Sequence, residues 1–121
     1  EDAVKFVLDS FELMQGGELY VPRIPSMKII DLAKAVSPDS AIVEIGIRPG
    51  EKLHEEMISA EDSRRTIKVS SNRFLVLPVV AEWSFEPPKG EVMSERTAYA
   101  SDTNDLWIAS AEMAEFIERM K

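Results

Sequence analysis

The stretch A-I-V-E-I-G-I-R-P-G-E-K-L-H-E-E-M-I, Ala41 to Ile58, reads as strand, tight turn and helix in succession. Val43, Ile45 and Ile47 alternate with Ile42, Glu44 and Gly46, the period of a strand with one apolar face. Arg48-Pro49-Gly50-Glu51 then has Pro second and Gly third, the type II turn arrangement, since Pro fixes φ near −65° and Gly accepts a positive φ. After the turn, Leu53 and Met57 lie four apart with Lys52, Glu55 and Glu56 free to face water, which predicts a short helix over 51–59. This unit places the chain in the α/β class, as a mixed α+β domain.

Upstream, Val4, Val7, Leu8 and Phe11 share one helical face from about Asp2 to Met14, with Gly16-Gly17 as the stop. Leu19-Tyr20-Val21 reads as a strand ended by Pro22 and Pro25. Ser26 is placed to cap a second helix with Ile29, Leu32, Ala33 and Val36 on its apolar side, closed by Ser37-Pro38-Asp39. Downstream, Thr66–Val69 and Phe74–Val80 form a predicted hairpin across Ser70-Ser71-Asn72-Arg73, with Pro78 breaking the second strand near its end. Periodicity lapses from Ala81 to Tyr99 and returns at Met113, Phe116, Ile117 and Met120, with Ser110 as the expected cap. The expected organisation is a single domain over residues 1–121, with 1–81 compact and 82–121 an irregular arm ending in a helix.

Composition narrows the function. At 121 residues there is room for one core, burying roughly two-thirds of the extended-chain surface. A net charge of −8 and the absence of a basic stripe argue against nucleic acid. With no cysteine and a single histidine, thiolate chemistry, disulfides and His-rich metal sites are excluded. No apolar run approaches the roughly 20 residues needed to cross a bilayer, and Glu1-Asp2 is unlike a signal peptide, so the expectation is a cytoplasmic protein without a membrane. The chain opens inside a helical pattern, as an excised segment would.

Arg48 and Glu51 are the candidate ligand-binding pair. The turn brings together a permanently charged fork suited to phosphate oxygens and a carboxylate able to accept from hydroxyls. A phosphorylated sugar or a nucleotide diphosphate would satisfy both. Spacing alone favours a surface ion pair worth about 0.2–1 kcal/mol over a ligand site. His54 has no second histidine with which to share a metal. Arg64, Arg65, Lys68 and Arg73 read as solvated charges flanking the hairpin, and Trp83, Phe85, Tyr99 and Trp107 as anchors for the arm. Adjacent Glu55 and Glu56 cannot form a glycosidase carboxylate pair on one helix face.

The segments G-G-E-L-Y-V-P-R-I-P-S-M-K-I-I-D-L-A (Gly16–Ala33) and R-P-G-E-K-L-H-E-E-M-I (Arg48–Ile58) together resemble the C-terminal part of the soluble, inverting UDP-N-acetylglucosamine 4,6-dehydratases of the extended short-chain dehydrogenase/reductase superfamily. Tyr99 to Trp107 is similar to the family's tail. The resemblance implies a lyase of surface-polysaccharide sugar-nucleotide biosynthesis, whose N-terminal Rossmann half holds NADP and the catalytic residues. This chain would be the substrate-binding half, with no catalytic residue or cofactor of its own. By motif position Arg48 corresponds to the arginine on the UDP diphosphate and Glu51 to the acid on the ribose hydroxyls, while Arg23 lies where related enzymes line the nucleotide side. The partners implied are a UDP-sugar and the absent Rossmann half, with a homo-oligomer left open. A UDP-sugar 4-epimerase domain and a stand-alone interaction or regulatory module are the alternatives.

Overall fold

A computed structural model describes residues 2–80 and 85–120; the predicted anchor Trp83 lies outside them. The fold is mixed α/β, as expected: three α-helices, a four-stranded antiparallel sheet and a two-stranded one among the described residues. The chain divides into two compact units, each assembled from two separated segments rather than parted near residue 81.

The first unit comprises residues 1–24 and 56–99. It contains α1 (Asp2–Leu13), β1 (Leu19–Pro22), β2 (Glu56–Ile58), β3 (Thr66–Ser70), β4 (Arg73–Val76) and β5 (Glu91–Val92). Its sheet has the order β1-β4-β3-β5. The predicted hairpin is present, with Thr66 opposite Val76, Ile67 opposite Leu75 and Lys68 opposite Phe74; a bulge at Val69 then brings Ser70 opposite Arg73 across the Ser71-Asn72 turn. β4 stops at Val76, before Pro78, because proline cannot donate to a ladder. Val21, Ile58, Phe74, Val76 and Tyr99 form the core cluster, with Leu75 almost fully enclosed. Tyr99 anchors the arm: its ring lies 5.0 Å from that of Phe74, and its hydroxyl accepts from Ile24 N–H and donates to Ile24 C=O, both at 2.9 Å.

The predicted helix over 51–59 does not form. Residues 51–55 are irregular and 56–58 are β2, paired with β6 (Tyr99–Ala100). Long-range partners outcompete the local helical pattern: Glu55 N–H donates to Ser101 Oγ at 3.1 Å, and Ser101 N–H to Glu55 C=O at 2.8 Å. Ile58, 2% exposed, is the buried residue, whereas Leu53 of the expected stripe is 84% exposed.

α1 forms where expected but turns its apolar stripe outward. Val4, Val7, Leu8 and Phe11 are all exposed, and Phe6, Asp9 and Ser10 are the partly buried positions. The cause is Arg73, which was expected to be solvated and instead has a side chain 11% exposed. Its guanidinium lies 4.9 Å from the Phe6 ring centre and 5.7 Å from that of Tyr20, with Asp9 at 3.6 Å. The Phe6 ring and the Asp9 carboxylate thus fasten the helix to β4, and Tyr20 of β1 adds a second π-face to the guanidinium. Arg65, another of the expected solvated cations, is also partly buried, held by Asp62 and Leu77 C=O.

The second unit comprises residues 25–55 and 100–121 and contains α2 (Ile29–Val36) and α3 (Ser110–Met120), which pack together. Ser26 does not cap α2. It is buried and bridged to Trp107, with Ser26 N–H donating to Leu106 C=O at 2.8 Å and Ile108 N–H to Ser26 C=O at 2.9 Å. Its hydroxyl accepts from Asn104 Nδ2 at 3.1 Å, so the cap position falls to Lys28. Ser110 is likewise the first helical residue and not the cap. Ala109 precedes it, its N–H held by the Glu112 carboxylate at 3.0 Å, half of a capping box. Ala41 to Ile47 is irregular and exposed, with no strand partner among the described residues. The strand expected from the alternation of these residues does not form, because a strand exists only where a second backbone meets it.

Replacing the Arg73 guanidinium should loosen α1. Arg73→Ala is expected to lower stability by about 2 kcal/mol in urea unfolding, with Arg73→Lys recovering only part because an ammonium does not stack as a plane. Burial, then the nearby Glu18 carboxylate, pushes the Tyr20 hydroxyl above its ordinary pKa of 10.0, against the lowering effect of Arg73. The group is raised in the folded state, so its stability contribution is complete below pH about 10 and is lost as pH rises through the folded value. Tyr20→Phe should flatten the alkaline arm of a stability–pH curve, and an unchanged arm would contradict this.

Candidate functional site

The turn predicted at Arg48–Glu51 is present in the second unit. Glu51 N–H donates to Arg48 C=O at 3.0 Å, the hydrogen bond that defines the bend. Gly50 sits at φ +87°, as a type II turn requires, and Gly46 at +78° reorients the chain just before the arginine. A Cβ on either glycine would meet nothing within 4 Å, so the requirement is for backbone conformation and not for space.

The Glu51 carboxylate folds back over the bend. Oε2 accepts from Arg48 N–H at 2.8 Å, and Oε1 lies 3.7 Å from Arg48 Nη1. The second distance is a loose ion pair, beyond hydrogen-bond length, between side chains 71% and 47% exposed. The arrangement therefore offers a guanidinium fork to solvent from a bend whose backbone is already closed. Such a fork grips a phosphate through paired N–H donors, and the second lone pair of Oε1 can accept from a hydroxyl.

Arg23 belongs to the first unit, just past β1. Its N–H donates to Asn72 C=O at 2.9 Å and its Nη1 to Ser71 C=O at 3.2 Å, so the guanidinium braces the β3–β4 turn. His54 lies 3.9 Å from Asp102, half-exposed, and no group of three or more metal-ligating side chains gathers among the described residues. Sequence reasoning missed Asp102 and Ser101, which hold the stretch after the turn at His54 and Glu55. No local pattern announces partners nearly fifty residues away.

Against family models, residues 1–76 match that of the polysaccharide biosynthesis proteins. The chain belongs to that family. Among curated relatives of this polysaccharide biosynthesis chain is the UDP-N-acetylglucosamine 4,6-dehydratase (inverting) of Campylobacter jejuni, 44% identical over 97% of this chain and 37% of the relative. A UDP-glucose 4-epimerase of Rickettsia typhi is 40% identical over 50% of this chain and 19% of its own length. Pen from Bacillus thuringiensis shares the fold at a TM-score of 0.76 and 22% identity, over 99% of this chain and 35% of that one. The chain thus spans little more than a third of the dehydratase it matches.

The NADP that the resemblance implies for a parent enzyme does not fit the residues present. A pyrophosphate cradle needs glycines between a strand and the first turn of a helix. The segments leading into α2 (residues 23–28) and α3 (residues 101–109) contain none. Gly16 and Gly17 follow a helix, Gly46 precedes the turn and Gly50 lies within it, and Gly90 lies against the Lys68 carbonyl, 2.6 Å from where its Cβ would be.

Gly50→Ala should disturb the bend without any clash. Forcing an L side chain to φ +87° costs about 1 kcal/mol, expected as faster amide exchange at Arg48 and Glu51. Gly50→Asn, which tolerates that region better, should fall between alanine and wild type, and equal exchange in all three would contradict the turn assignment.

Proposed function

We propose that this chain is the UDP-sugar-binding domain of an NADP-dependent, 5-inverting UDP-N-acetylglucosamine 4,6-dehydratase in surface-glycan sugar-nucleotide biosynthesis, acting in the cytoplasm. The observation that carries the reading is the closed Arg48–Glu51 turn, displayed by a chain 44% identical over 97% of its length to such an enzyme. In this reading Arg48 binds the diphosphate and an oxygen of Glu51 accepts a ribose hydroxyl.

The domain contributes affinity and position and no bond-breaking group. Holding the nucleotide fixes where the hexose lies relative to the reacting groups of a partner half, and such positioning accounts for several kcal/mol of a barrier. The outward stripe of α1 in the first unit and, separately, the exposed apolar stretch Ile42–Ile47 in the second support a covering partner, since monomers rarely leave large apolar patches to water. We assign that partner as the Rossmann half. A UDP-sugar 4-epimerase domain is the second reading, favoured by the 40% match to the Rickettsia enzyme over 65 residues.

Calorimetry with UDP tests the proposal. Binding is expected in the high-micromolar to millimolar range, because one wall of the cleft is missing, and Arg48→Ala should weaken it at least tenfold, the loss of one desolvated charge-assisted pair. Incubation of the chain with UDP-N-acetylglucosamine and NADP should give no dehydrated product. Equal UDP binding by Arg48→Ala would remove the assigned site, and absence of UDP binding would favour the interaction-module reading.

A further inference from the structure

Glu51 presents a problem of sign. A carboxylate oxygen 3.7 Å from the guanidinium that is to meet a diphosphate repels that ligand, so on charge alone its removal should strengthen anion binding. Its other oxygen, however, is committed to the chain itself, accepting the Arg48 N–H at 2.8 Å. Together with the Glu51 N–H to Arg48 C=O bond at 3.0 Å, this joins residues 48 and 51 through both the backbone and a side chain. Among the described residues, a Cβ added at Gly46 or Gly50 would meet nothing within 4 Å, so neither glycine is hemmed in by a packed neighbour.

We infer that Glu51 is a positioning residue for phosphate recognition: by closing the turn on the Arg48 amide it presets the arginine, so the diphosphate is bound better with this capping side chain than without it. The inference rests on the reading of Arg48 as the diphosphate ligand. It adds a role that does not involve the ribose. Oε2 serves the bend and Oε1 remains for a hydroxyl, so one carboxylate holds the cation in place and reads the sugar beside it. The gain comes from order already present before the ligand arrives, which removes the cost of fixing a mobile loop on binding.

Inorganic pyrophosphate, which has no ribose, separates the two roles. With the intact 121-residue chain, Glu51→Ala is expected to bind pyrophosphate about fivefold more weakly than wild type, the effect of losing one capping hydrogen bond. Glu51→Gln keeps an oxygen for the Arg48 amide and sheds the charge, so it should bind pyrophosphate as tightly as wild type or more tightly. Amide exchange at Arg48 should quicken in the alanine variant and stay slow in the glutamine variant. Alanine-variant binding equal to or tighter than wild type, or unchanged Arg48 exchange, would overturn the positioning role while leaving Arg48 as the ligand. Failure of wild type to bind pyrophosphate, or equal binding by Arg48→Ala, would instead remove the diphosphate reading and this inference with it.

Discussion

β4 is the strand on which the first unit depends. It lies between β1 and β3, so β1 joins the sheet only through it, and it places Phe74, Leu75 and Val76 in the buried layer. Arg73 at its head carries the same strand's influence to α1 by stacking against Phe6 and Tyr20 and pairing with Asp9. A cation is an unusual residue at such a position. It is tolerated because aromatic faces and a carboxylate replace much of its hydration, although its Nε is buried without a hydrogen-bond partner.

This arrangement explains why α1 shows its apolar stripe to solvent. Amphipathic period normally identifies the face a helix buries, and in α1 it identifies the face left over. The same holds for Ile42–Ile47, whose alternation is that of a half-buried strand although its side chains are exposed. Both segments carry the pattern of contacts that the described residues do not supply. Exposed apolar surface of this kind is what the partner half of the proposed function would cover.

Elements set by local chemistry could be read from the sequence. The Arg48–Glu51 bend follows from Pro49 and Gly50, the β3–β4 hairpin from two apolar runs around Ser71-Asn72, and the end of β4 from Pro78. What could not be read depends on distant partners. The stretch 51–59 has helical spacing, yet Ser101 and β6 draw its backbone into extended pairing. Ser26 has the chemistry of a cap, but Asn104 takes its hydroxyl. Arg73 looked solvated because nothing near it in sequence reveals Phe6 and Tyr20. At the site the meeting of Arg48 and Glu51 was predictable, whereas the attachment of Glu51 to the Arg48 amide was not.

The central claim is that the Arg48 guanidinium receives a diphosphate. Nitrogen-15 NMR of the arginine side chains during a UDP titration observes that group itself. The account predicts a saturable shift of the Arg48 Nε and Nη signals, with Arg64, Arg96 and Arg119 unmoved. Arginines that all drift together with salt, or an Arg48 side chain unaffected at saturating UDP, would contradict it.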